Sequence, residues 1–177
     1  DALTGVGNLR AWRARLAAAC RRVRVEGTPI CVALFDVDHF KPINDTCGHA
    51  TGDEVICAVA ERLANSVRDG DFVARLGGDE FGLILVNLSA EQGGKIVERV
   101  RQNVSSRVVA GGQQPIELAA SAGWCSILPS ETPAAVVERA DVALRSAKQL
   151  GRNQTQAGGE VPLSEVGTDR STGEESV

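Results

Sequence analysis

The chain has 177 residues, 43% of them apolar and 24% charged, with a net charge of −4. That is enough apolar side chain for one cored domain plus a tail, and it excludes wholesale disorder, collagen-like repeats and a small disulfide-stapled fold. No long uncharged apolar run could span a membrane, and no clustered excess of Lys and Arg marks a nucleic-acid surface. The charge is uneven, because residues 155–177 hold Glu160, Glu165, Asp169, Glu174 and Glu175 against Arg170 alone. Residues 1–154 are therefore neutral overall.

In chain order, Leu9, Trp12, Leu16, Ala19 and Val23 recur at helical spacing between Asn8 and Arg24, and Gly27 and Pro29 end that helix. Ile30–Phe35 is a continuous apolar run too short for a helix and reads as a buried strand, leading straight into Asp36-Val37-Asp38. Val55, Ile56, Val59, Ala60, Leu63 and Val67 form a second long helix with Asp53 and Glu54 in its first turn. Asp71–Arg75 and Phe81–Val86 are strands of a hairpin punctuated by Gly77-Gly78. Ser89-x-x-Gln92 is a capping-box pattern opening a helix with Ile96, Val97, Val100 and Val104 on its apolar face. Pro115–Leu128 is strand-like, and Thr132-Pro133 opens a last helix that Gly151 stops. Beyond Asn153 the chain is Gly-, Ser- and Glu-rich and aperiodic, and is expected to be a disordered acidic tail over 155–177. The order αβαββαβα predicts an α+β fold of the α/β type, with helices flanking a mainly antiparallel central sheet.

The five cysteines show no CxxC spacing. Cys31 and Cys57 read as small core hydrophobes, so zinc or a disulfide frame is not expected and a reducing, cytoplasmic setting is. There is no signal peptide or Met, and the chain opens at Asp1, which suggests an excised output domain of a larger protein that could carry an anchor or sensor upstream.

Two acidic clusters fall at strand ends. Asp36-x-Asp38 follows the first strand, and Asp79-Glu80 sits in the hairpin turn beside Gly77-Gly78. Carboxylates so placed can hold a hard cation such as Mg²⁺, and glycines without Cβ let a phosphate approach the backbone. Either cluster alone is more simply a pair of solvated turn acids. Together, on a hairpin that could join them, they suggest metal-dependent phosphoryl or nucleotidyl transfer.

Gly77-Gly78-Asp79-Glu80-Phe81 is the signature of the diguanylate cyclase (GGDEF) family, which the sequence resembles along nearly all of residues 1–154. The opening Asp1-Ala-Leu-Thr-Gly-Val-Gly-Asn8 is similar to the family's entry into its first helix. So are Asp36–Asp45, Gly48-His49 with Gly52-Asp53, and Arg139-Ala-Asp141 with Ala147-Lys148 and Gly151-Arg152-Asn153, each in the family's order and spacing. The resemblance implies a palm-like nucleotide cyclase fold and a Mg²⁺-dependent enzyme, with Mn²⁺ as an alternative and two ions per site. Two domains meet across a two-fold axis, each holding one GTP. The 3′-hydroxyl of each GTP attacks the α-phosphate of the other, giving cyclic di-GMP and pyrophosphate. Asp36, the Val37 carbonyl, Asp79 and Glu80 hold the metals, and Asp79 is the better candidate to help deprotonate the hydroxyl.

The resemblance also assigns Asn44 and Asp53 to the guanine edge, where an amide and a carboxylate suit O6 and the N1/N2 donors. Lys41, Lys148 and Arg152 fall to the phosphates, with Lys148 and Arg152 sharing one helical face. Gly77 and Gly78 let the nucleotide approach, and Phe40 packs either near the ribose or in the core. Arg68-x-x-Asp71 stands where many relatives carry a product-binding inhibitory site, its alternative being a helix-end Arg followed by turn acids. Arg145 and Cys47 depart from the family's usual aromatic residues. The partners expected are GTP, cyclic di-GMP and a second copy of the domain, with no nucleic acid and no membrane contact from this stretch. The rival reading is a silent receptor that only binds cyclic di-GMP or GTP. A different nucleotide cyclase on a related fold would need other base-reading residues.

Overall fold

The computed structural model describes residues 1–105, 107–108 and 116–159. Helix α1 spans Leu9–Glu26; Asn8 caps it by accepting from the Ala11 N–H, and Gly27 ends it in the left-handed region at φ 66°. Strand β1 covers Ile30–Asp38 and is buried throughout. Two helices follow, α2 (Phe40–Cys47) and α3 (His49–Ser66). The hairpin strands are β2 (Phe72–Gly77) and β3 (Glu80–Val86). Helix α4 (Ala90–Val104) opens with the full capping box between Ser89 and Gln92. Short strands β4 (Arg107–Val108) and β5 (Ile116–Glu117) pair with each other, and β6 (Ala119–Ser126) rejoins the main sheet. Helix α5 (Pro133–Gln149) starts from the Thr132 cap, and β7 (Thr155–Ala157) closes the order.

The main sheet runs β2-β3-β1-β6-β7. Its pairs are antiparallel except β6 with β7, which is parallel, so the sheet is mixed at one edge. Alternation along β1 divides the core. Cys31, Ala33, Phe35 and Val37 pack with α3 and α4 residues such as Val59, Leu63 and Val97. Ile30, Val32 and Leu34 pack with Trp12, Leu16, Ala140 and Leu144 of α1 and α5. Helix α5 lies directly on β6 at Gly123, where a Cβ would stand 2.1 Å from the Leu144 nitrogen. That contact seats α5 close to the sheet, with its C-terminal half over the end of β1.

The structure departs from the sequence expectations in four places. Strand β1 runs on through Asp38, because its last residues keep pairing with β6. Helix α2 was not anticipated. Helix α3 begins at His49, which moves Asp53 and Glu54 out of its first turn. Residues 155–157, expected in the tail, form β7: the Ala122 N–H donates to the Gln154 carbonyl, the Gly158 N–H donates to the Trp124 carbonyl, and Arg139 donates to the Gly158 and Gly159 carbonyls. The rest of the expected tail, 160–177, lies outside the described residues. No helix among the described residues is long and apolar enough to cross a membrane.

Candidate active site

The site is built at one end of the sheet, where the register places Asp36 of β1 directly across from Glu80 of β3. The turn between β2 and β3 is tied down twice. The Val37 N–H donates to the Asp79 carbonyl at 3.3 Å, and Arg75 Nε donates to the Gly78 carbonyl at 2.9 Å. Gly78 takes φ 53°, so the turn needs a residue that tolerates the left-handed region. Asp36, Val37, Asp79 and Glu80 are thus brought together, and what joins the two acidic clusters is the pairing of β1 with β3, the hairpin itself joining β2 to β3.

The electrostatics are those of crowded negative charge. Burial pushes the Asp36 carboxyl above its ordinary range, against the pull of Lys148, whose Nζ lies 2.7 Å from Asp36 Oδ2. Asp79 and Asp38 push the same way as burial. Glu80 is also raised, by burial and then by the charges of Asp36 and Asp79, with Asp141 adding to them and Lys148 opposing. Like charges that raise one another's proton affinity mark a place where a cation is wanted. The donors are all oxygen, which suits a hard dication. No three acidic, His or Cys side chains among the described residues close on one point. Mg²⁺ takes one or two carboxylates and completes its shell with water and substrate phosphates.

Asp38, grouped with Asp36 in the sequence, does a different job. Its carboxylate accepts from Ser121 Oγ at 2.8 Å and from the Asn153 N–H at 2.9 Å, joining β1 to β6 and to the turn after α5. Arg101, which sequence reasoning passed over, donates to the Asn153 side chain and pairs with Glu98 at 2.7 Å. This brace fixes the turn that carries Arg152. Lys148 and Arg152 do not share a helical face: α5 stops at Gln149, and Arg152 sits in a left-handed turn at φ 64° with its N–H donating to the Ala147 carbonyl.

The expected base-reading residues lie on the other side of β1's end. Phe40, Lys41 and Asn44 are on α2, which leaves β1 through His39 in the left-handed region. Asp53 is on α3, which packs against α2. Phe40 is half-buried and packs on the core. A pocket of about 450 Å³ opens beside Asp53, walled by Leu3, Glu54, Cys57, Ala58 and Glu61. Leu3 and Cys57 were not anticipated as walls, and Cys57 is half-exposed rather than a core residue. Cys57 Sγ contacts the Leu3 carbonyl at 3.4 Å, and the N-terminal segment is pinned to β2 through Gly7. On the α1–α5 side, Glu80 opens onto a groove of about 720 Å³ floored by Trp12, Leu34, Leu76 and Leu144.

Arg68 and Asp71 lie at the far end of the hairpin, about 20 Å from Glu80 by the rise of β3. The Asp71 side chain is only 4% exposed. It accepts from the Val86 N–H at 2.9 Å and from the Arg68 N–H at 3.3 Å. The Asp71 carboxylate thus braces this end of the hairpin, each oxygen accepting one backbone N–H. The Arg68 side chain is 54% exposed, leans on Asp71 at 3.7 Å and donates to the Val86 carbonyl.

A mixed sheet carrying facing carboxylates at one strand end, with a glycine turn beside them, defines an α/β domain with an acidic sheet edge. The family model described as "Diguanylate cyclase, GGDEF domain" matches residues 1–154, and the chain belongs to that family. It is 38% identical over 154 residues to diguanylate cyclase DgcP of Pseudomonas aeruginosa, covering 87% of this chain and 23% of that protein. It is also 38% identical over 156 residues to response regulator PleD of Caulobacter vibrioides, covering 86% of this chain and 34% of that protein. The chain therefore spans about a quarter to a third of those relatives. Among solved structures, the GGDEF domain of DgcB from Caulobacter crescentus in complex with c-di-GMP superposes with a TM-score of 0.85 at 37% identity. That match covers 89% of this chain and 94% of the other.

Proposed function

We propose that this chain is an active diguanylate cyclase that condenses two GTP into cyclic di-GMP and two pyrophosphates, working in the cytoplasm as a two-fold dimer. The observation that carries the reading is the Asp36–Glu80 pair across β1 and β3, crowded by Asp79 and opposed by Lys148. Asp36, Asp79, Glu80 and the Val37 carbonyl would hold two Mg²⁺ ions, or Mn²⁺. When bound, the metal stabilises charge on the phosphates and makes the attacking hydroxyl more acidic.

The chain's own residues supply the rest. Asn44 and Asp53 take the guanine edge, and Lys41, Lys148 and Arg152 take the phosphates. Lys148 has a ready route, because its ammonium needs only to exchange Asp36 for a phosphate oxygen. Asp79 accepts the proton from the 3′-hydroxyl presented by the nucleotide on the partner copy. The new bond joins that oxygen to the α-phosphorus as the bond to pyrophosphate breaks. Gly77 supports the close approach of a nucleotide: a Cβ there would meet no protein atom within 4 Å and its φ is not positive, so packing within the chain gives no reason for glycine. Product binding at the exposed Arg68 guanidinium, oriented by Asp71, would give feedback inhibition.

The test is to incubate the protein with GTP and Mg²⁺ over a range of protein concentrations and separate the nucleotides by chromatography. Cyclic di-GMP should form with a specific activity that climbs with protein concentration, because two domains must meet. A fused dimeric coiled coil should raise it several-fold. No product at any concentration, with cyclic di-GMP still bound, would replace this reading with a receptor.

A further inference from the structure

Gly52 lies in the first turn of α3, a place where alanine would ordinarily be the more stable residue. Its φ is not positive, so backbone conformation gives no reason for glycine. The reason is on the neighbouring helix. A Cβ at position 52 would stand 1.8 Å from Asn44 Oδ1, 2.9 Å from Asn44 Cγ and 3.3 Å from Phe40 Cζ. The Asn44 amide therefore occupies the space that a side chain at 52 would need. Gly52 is buried, and Asn44 has no side-chain hydrogen-bond partner among the described residues. The amide is held in place by shape and keeps its polar atoms available.

We infer that Gly52 is a positioning residue for base recognition: it lets the Asn44 amide lie against the α3 backbone, next to Asp53, so that the two groups meet a guanine edge together. This rests on the proposed reading that Asn44 and Asp53 contact the base. The colliding atoms belong to the far end of a side chain and not to backbone. Adding a methyl group at 52 should therefore swing Asn44 away while leaving α2 and α3 in place. A base-reading site that loses one properly aimed hydrogen-bonding group loses discrimination more than it loses fold.

The experiment measures binding of the GTP analogue with a methylene between the α- and β-phosphates, which blocks turnover, and of its adenine counterpart. The proteins are the parent, Gly52→Ala, Asn44→Ala and the double variant, with thermal melting alongside. Gly52→Ala should weaken the guanine analogue about tenfold, narrow its preference over the adenine analogue, and melt within a few degrees of the parent. On the Asn44→Ala background the same change should cost no further affinity and should raise the melting temperature, since the collision is gone and alanine favours helix. Parent-like guanine binding by Gly52→Ala overturns the inference while leaving the proposed function standing. Equal losses on both backgrounds overturn it too, because Gly52 would then act without Asn44. If Asn44→Ala binds the guanine analogue as the parent does, or the parent itself shows no guanine preference, the base-reading assignment falls and this inference with it.

Discussion

The two ends of the β2–β3 hairpin each carry acids beside a cation, and they have opposite charge economies. At the Arg68 end, the Asp71 carboxylate is buried and both its oxygens accept backbone N–H groups. At the Glu80 end, Asp36 and Glu80 face each other across adjacent strands; burial raises both proton affinities, Asp79 and Asp38 add to it at Asp36, Asp36 and Asp79 add to it at Glu80, and Lys148 is the opposing charge. The difference teaches how to tell a brace from a reactive site when both are acidic clusters next to turns. A satisfied carboxylate holds the chain together, and an unbalanced one awaits a ligand. Asp36 and Asp38 repeat the contrast within a single strand, two residues apart.

The largest effect should come from breaking the unbalanced end. Glu80→Gln should lower the rate of cyclic di-GMP formation by at least about a thousandfold, measured by chromatography, because the groups that meet charge developing in the transition state dominate such rates. The same substitution should leave the fold intact. At the satisfied end the consequences reverse: Asp71→Ala should cost about 2 to 3 kcal/mol in denaturant unfolding, because it strands a buried Val86 N–H.

How much of this was readable from the sequence depends on how local the cause is. Asp36, Asp79 and Glu80 were legible, because an apolar strand that ends in acids and a glycine turn are contiguous signals. The caps at Ser89 and Thr132 were legible for the same reason. Helix α2 was not, since eight residues containing Pro42 are too few to show a helical period. Strand β7 was not, because Thr-Gln-Ala has no alternation and pairs only through its backbone with β6. The division between Asp36 and Asp38 was out of reach as well: the partner that commits Asp38 to the brace, the Asn153 N–H, lies 115 residues further along the chain. Arg152 was misplaced because a spacing of four is evidence of a shared face only while the helix lasts.

Two smaller effects sharpen the comparison. Arg68→Ala should relieve product inhibition about tenfold in initial-rate assays with added cyclic di-GMP, with little change in melting, since the exposed guanidinium is the part of that end free to meet a ligand. The smallest effect is on stability against pH. The folded chain holds the Glu80 proton more tightly than the unfolded one, whose carboxyl stays near its ordinary 4.5. The resulting penalty is absent below that value and grows as pH rises through the raised one. Metal-free Glu80→Gln should therefore melt slightly above the parent at pH 7.5 and level with it near pH 4.

Beneath these predictions lies the claim that the Asp36–Glu80 edge holds negative charge that only a cation can balance. The direct measurement is a carbon-detected NMR titration of the side-chain carboxyls of Asp36 and Glu80, with and without Mg²⁺. Both should titrate above their ordinary values in the metal-free chain, and both should move down when Mg²⁺ is added. Ordinary values that ignore Mg²⁺ would contradict the account.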